Sequence, residues 1–215
     1  MAFILHYHPL SSFCWKALIA LYEKGIDFTP EIVDFGDPKS TAAFRAIWPI
    51  AKMPVLVDSS RGDTVPEASI IVEYLDLHGG GERGLVPADP SAALEVRLQD
   101  RFYDHYVHQP MQKIVGDRLR PDSRGDPHGV EEARLTIRTA YSLLDGRFAP
   151  SPWAAGEAFT LADCSAAPAL FYADKVEPAG SGHASLAAYL DRLKARPSFA
   201  RVLAEAEPYF GLFPA

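Results

Sequence analysis

Cysteine is scarce: Cys14 and Cys164 are the only two in 215 residues, too few for a disulfide framework and not spaced as paired metal ligands. Both are expected as reduced thiols. The histidines (His6, His8, His78, His105, His108, His128 and His183) form no H-E-x-x-H pattern and none clusters with a cysteine, so no metal site is expected. Positive charge is also short. With 21 Lys and Arg against 28 Asp and Glu, the formal charge is −7 and the isoelectric point is near 5.5. That balance lacks the basic surface phosphate binding requires and excludes a broad nucleic-acid footprint. No apolar run approaches the ~20 residues that cross a bilayer, and the opening MAFILHYHPL lacks the basic start and long apolar centre of a signal peptide. A cytoplasmic protein without membrane association is the expectation. Low-complexity tracts are missing too. A composition of 48% hydrophobic and 23% charged residues is that of a folded chain, and its length suits one large domain or two small ones.

What is present divides into two patterns. Residues 2–7 read as a strand, and HPLSS comes next with turn and N-cap residues. Trp15, Leu18, Ile19 and Tyr22 then recur at helical spacing, with Gly25 as the stop. DFTPEIVDF (27–35) reads as a second strand, placed at a sheet edge by Pro30. DPKSTAAFRAI (37–47) reads as a short helix with Pro38 at its start. Residues 53–58 and 64–66 form a hairpin pattern around SSRGD, and EASIIVEYLDLH (67–78) is helical up to Gly79-Gly80-Gly81. Glycine and proline crowd residues 79–90, a linker pattern. Beyond it every periodic segment is helical: near 91–116, 129–147, 161–175, 184–195 and 198–206. The expected architecture is α/β followed by all-α, with domains at 1–78 and 91–215.

WPIAKMPVLVD followed by PEASIIVEYLD resembles the glutathione transferase superfamily, and the resemblance extends over nearly the whole chain. It implies a thioredoxin-like first domain with a cis-proline at Pro54 and a helical second domain. FTLADCSAAPAL (159–170) resembles the family's buried helix, with Thr160 and Asp163 as a capping box whose role is folding. Glutathione carries two carboxylates, an ammonium and a thiol. A cis bond at Met53-Pro54 would turn the Met53 amide and carbonyl outward to pair with the ligand's cysteinyl residue as an added strand does. Glu67 and Ala68 open a helix, where free amides and the helix dipole favour an anion. The family's Glu-Ser or Gln-Ser pair reads Glu67-Ala68 here, so the amide donor is kept and the hydroxyl donor is missing unless Ser69 or water replaces it. Lys52 is the candidate for the glycyl carboxylate.

The thiol has several candidate activators. SSFCWK is most similar to the serine-type classes, zeta above all, whose pattern is S-S-C-x-W-R, and the resemblance implies a bacterial member of that type. Ser11 falls on the zeta catalytic serine and Ser12 on its neighbour, while Phe13 replaces that class's cysteine and Lys16 its arginine. Read without the family, a serine here is an N-cap. Tyr7 lies where tyrosine-type classes place their activator. Cys14 would serve a cysteine-type member, although it shares a helical face with Leu18 and Leu21. A serine suffices energetically. Lowering a thiol's pKa by ~2 units requires about 2.7 kcal/mol. One hydroxyl donated to the thiolate supplies about 1.5–3 kcal/mol, and a helix N-terminus about 0.3–1 kcal/mol.

The resemblance implies conjugation of glutathione to an electrophilic, mostly apolar small molecule, with Tyr103, Tyr106 and Met111 as walls of the second-substrate pocket. A helix-packing stripe explains those three equally well. It also implies a homodimer. A glutathione-dependent isomerase of the maleylacetoacetate type and a non-catalytic binding module are the alternatives.

Overall fold

Phe3 and Leu5 point into the core while the residues between them are partly exposed, which makes β1 (Phe3–Tyr7) a strand with one buried face. The structure, a computed structural model, describes residues 2–81, 84–148, 151–180 and 182–214. β1 pairs in parallel with β2 (Phe28–Ile32) and antiparallel with β3 (Val55–Asp58), which continues antiparallel into β4 (Asp63–Pro66). The order β2-β1-β3-β4 puts β2 at an edge, where Pro30 leaves no central ladder bond unmade.

α1 (Ser12–Glu23) is buried from Cys14 through Leu21 because it lies between α3 (Ala68–His78) and two helices of the second domain. A helix buried on all sides must be apolar on all sides. Lys16 breaks that rule, and its charge is met by Asp100 and Asp104 of the second domain. Gly25, at φ +60°, ends α1 as expected. α2 (Pro38–Ile47) is capped by the Asp37 carboxylate, which accepts from the amides of Lys39 and Ser40. The Met53-Pro54 bond is cis. This is the expected thioredoxin-like arrangement.

The second domain is all helical. It begins with α4 (Pro90–Phe102), which passes through a π-helical stretch, Tyr103–His108, into α5 (Gln109–Arg118) without a break. α6 (Pro127–Phe148), α7 (Leu161–Val176), α8 (Ala184–Ala195) and α9 (Pro197–Ala206) come next, then a short 3-10 turn, Glu207–Leu212. Within the expected linker (79–90), residues 82–83 lie outside the described residues, as do residues 149–150 and 181 between the later helices.

α7 is the central helix, packed against α1, α4, α5 and α8. Its capping box forms as the sequence predicts. The buried Asp163 carboxylate takes the amides of Thr160 and Ala154, both at 2.8 Å, and the Tyr189 hydroxyl at 2.7 Å. The Tyr172 hydroxyl of α7 donates to Leu10 O at 2.9 Å, and Arg196 clamps Glu23 at 2.5 and 2.7 Å. These bonds tie the loop before α1, and the far end of α1, to the second domain.

Candidate functional site

The turn after β1 is built from backbone. Ser11 N donates to His8 O at 2.9 Å, and Trp15 N to Ser11 O at 3.1 Å, which starts α1. Ser11 occupies the N-cap position, but its hydroxyl makes no capping bond. Its hydroxyl instead lies within hydrogen-bond reach of the Cys14 thiol, and the residue lines a cleft of about 470 Å³. Lys52, Met53, Pro54, Glu67 and Ala68 line the same cleft, so six residues singled out from sequence converge on one space. Lys52 is exposed and has no carboxylate partner among the described residues.

Glu67 precedes α3 with φ +69° and ψ +116°, and Ala51 in the same wall has φ +55°. A non-glycine residue in that region is strained by roughly 1–3 kcal/mol, and such residues gather at ligand sites. The Glu67 conformation leaves the first amides of α3 at the cleft and the Glu67 side chain free of any cap bond. Ser69 cannot replace the hydroxyl that Ala68 lacks. It is buried, facing Lys16 at 3.1 Å and Asp100 at 3.0 Å.

The other thiol activators fall elsewhere. Ser12 is buried in α1, with its Oγ 2.5 Å from Nε2 of His108, and does not line the cleft. Cys14 is fully buried. Burial pushes its thiol up to about 12, even though the Ser11 hydroxyl and the His8 backbone favour the thiolate. Tyr7 borders a separate hollow with Tyr22, Arg201 and Glu205.

The expected second-substrate wall is corrected. Tyr103 and Met111 are core residues, 0% and 3% exposed. Tyr106 is exposed on a different apolar groove, with Phe102, Leu135 and Leu143. Tyr103 opens a π-helical stretch that packs on α6 and α7, and Met111 lies in α5, which packs on the same two helices, so both are buried between helices. Gln112, one place beyond Met111, is the residue of α5 that reaches the cleft, opposite Phe13 and Phe35. Phe13 is notable in the sequence only as a departure from the zeta pattern, and Phe35 and Gln112 carry no signal at all.

Behind Phe13 the second domain supports the wall. The His108 ring stacks on Phe13 with centroids 3.9 Å apart, and its Nδ1 is buried without a partner among the described residues. Burial, then the charge of Lys16, pulls its pKa from 6.5 down to about 3. The unfolded chain takes up this proton near pH 6.5 and the folded chain does not until about pH 3, so stability falls with pH across that window. His108 alone is expected to remove about 2 kcal/mol by pH 5. Urea denaturation at pH 7 and pH 5 checks this: His108→Phe should flatten the dependence, and a slope equal to that of the unsubstituted protein would refute the role of His108.

A strained helix-opening acid, a cis-proline and a serine whose hydroxyl caps no helix surround one cleft, the candidate site of this thioredoxin-like domain. The chain belongs to the glutathione S-transferase family. The family model for the glutathione S-transferase N-terminal domain matches residues 10–78, and that for the C-terminal domain matches residues 127–204. A glutathione S-transferase of Pseudomonas putida is 32% identical over 161 residues, 74% of this chain and 69% of that protein. Glutathione S-transferase 3 of Zea mays is 32% identical over 207 residues, 91% of this chain and 90% of that one. Among solved structures, a glutathione S-transferase of Methylobacillus flagellatus with glutathione bound superposes with a TM-score of 0.84 at 26% identity, covering 93% of this chain and 98% of that one.

Proposed function

We propose that the protein is a glutathione transferase of the serine type, in which Ser11 holds the thiol of glutathione as thiolate for attack on an electrophilic small molecule. The observation that carries this reading is the convergence of Ser11, Lys52, Met53, Pro54, Glu67 and Ala68 on one cleft. The backbone of Met53 pairs with the cysteinyl residue, Lys52 meets the glycyl carboxylate, and the Ala68 amide meets the γ-glutamyl end. The protein's share of catalysis is orientation and electrostatic stabilisation of the thiolate. Phe13 and Phe35 give the electrophile an apolar aromatic wall, and Gln112 gives it one amide.

The zeta-like motif supports the serine type. Phe13 in place of that class's cysteine weighs against the isomerase alternative. Residues 1–78 are the glutathione-binding unit in this reading, and 91–215 the helical unit. Leu94, Leu98, Tyr106, Leu135 and Leu143 are each more than half exposed on α4, the π-helical stretch and α6, an apolar face that supports a homodimer. Two unpaired, buried cysteines suit the reducing cytoplasm, and no helix is long and apolar enough to cross a membrane among the described residues.

Calorimetric titration with glutathione, alongside turnover of an aryl halide, tests the reading. Saturable binding below millimolar concentration together with conjugation is expected. No binding at millimolar glutathione would refute it, and binding without turnover of any electrophile would point to the non-catalytic module.

A further inference from the structure

A second hollow, of about 340 Å³, adjoins the cleft through the shared residues Phe13, Glu67 and Ala68. Its walls carry several charges, most of them already spent. Lys16 is fully buried, and its three donors go to Ser69, Asp100 and Asp104. Arg97 is engaged in a two-pronged pair with Glu73 at 2.9 and 2.7 Å. Arg101 differs. Its Nε donates to Asp100 at 3.1 Å, and its Nη2 donates to Asp100 at 2.6 Å, to Asp104 at 2.8 Å and to Ser69. Nη1 has no partner among the described residues, and the side chain is 49% exposed. Two buried aspartates thus fix the plane of the guanidinium and leave Nη1, with its two N–H donors, as the nitrogen without a partner among the described residues. Glu67, on the shared wall, is exposed and has no hydrogen-bond partner among the described residues.

The guanidinium lies near the Glu67 carboxylate, whose charge helps to hold Arg101 protonated; the two opposite charges complement a zwitterion, and glutathione has one, the α-amino and α-carboxylate groups of its γ-glutamyl residue. We propose that Arg101 is a specificity-determining residue of the glutathione site, its Nη1 donating to the γ-glutamyl α-carboxylate in place of the serine hydroxyl that Ala68 lacks. The assignment rests on the transferase reading and extends it. Nη1 offers a bond from a cationic donor where the hydroxyl offered one from a neutral donor, so the exchange of donors need not weaken binding.

The test is titration of the full-length protein with glutathione and with its decarboxylated analogue, 4-aminobutanoyl-cysteinyl-glycine. Arg101→Gln is expected to raise the Kd for glutathione roughly ten- to a hundredfold and to leave that for the analogue within about twofold. Adding Ala68→Ser to Arg101→Gln is expected to recover part of the loss. Arg101→Lys keeps a cation over Asp100 and Asp104 but has no counterpart of Nη1 reaching past them. It should reproduce most of the loss while melting close to the unsubstituted protein, which separates ligand contact from folding. Equal weakening of both ligands, or unchanged glutathione affinity in Arg101→Gln, would overturn the assignment and leave the transferase reading standing. Failure of the unsubstituted protein to bind glutathione would overturn both.

Discussion

Ser11→Ala is expected to raise the pKa of the bound thiol by roughly one to two units and to slow turnover near neutral pH by about ten- to a hundredfold, with a smaller effect on glutathione affinity. The size comes from one hydrogen bond to a charged acceptor, about 1.5–3 kcal/mol, in a site where the start of α1 supplies only about 0.3–1 kcal/mol more. The Ser11 hydroxyl is not used in capping α1 and meets the Cys14 thiol, a weak acceptor, so its removal should cost little stability. Cys14→Ala is the informative contrast. With its thiol pushed up to about 12 by burial, Cys14 supplies no thiolate near neutral pH, and its loss should appear in the melting temperature and not in the rate. Thiolate absorbance against pH, with turnover of an aryl halide for both variants, checks the pair. Loss of activity in Cys14→Ala with a near-normal Ser11→Ala would move the protein to the thiol-transfer members of its family.

The parts of the site legible in the sequence are those written locally. Met53-Pro54 and Glu67-Ala68 act through backbone geometry over a few adjacent residues, and the Thr160–Asp163 box is complete within four. The strand and helix patterns are legible for the same reason, and Pro30 marks the edge strand. The features that are not legible depend on partners distant in the chain. Nothing local distinguishes Gln112 from Met111: Met111 is buried where α5 packs on α6 and α7, and Gln112 lines the cleft. Ser12 resembles Ser11 until His108, 96 positions away, takes up its hydroxyl.

Lys16 shows the same limit at larger energetic scale. In sequence it is one cation in an apolar run, notable only as a substitute for the arginine of the zeta pattern. In the fold it is fully buried at the junction of the two domains, 2.9 Å from Asp100 and 2.7 Å from Asp104, carboxylates 84 and 88 positions further along the chain. Burial raises the Asp100 pKa, but the charge of Lys16 and hydrogen bonds from Ser165, Lys16 and Arg101 outweigh it and hold the group below the usual carboxylate range. Lys16→Met would therefore leave two adjacent buried carboxylates with only Arg101 at their rim. The expected cost is about 3–5 kcal/mol, a fall in melting temperature on the order of 10 °C for a chain of this size. Lys16→Met combined with Asp100→Asn and Asp104→Asn removes the uncompensated charge and should recover a large part of that loss. Thermal and urea unfolding of the two variants decide the matter: a loss below about 1 kcal/mol in Lys16→Met, or a triple variant weaker than the single one, would show that the cluster does not hold the domains together. Since α1 carries Ser11 at its start and Lys16 joins that helix to the element bearing Asp100 and Asp104, any loosening is also expected to lower kcat in the surviving folded fraction. The hydroxyl would then be held less firmly against the thiolate.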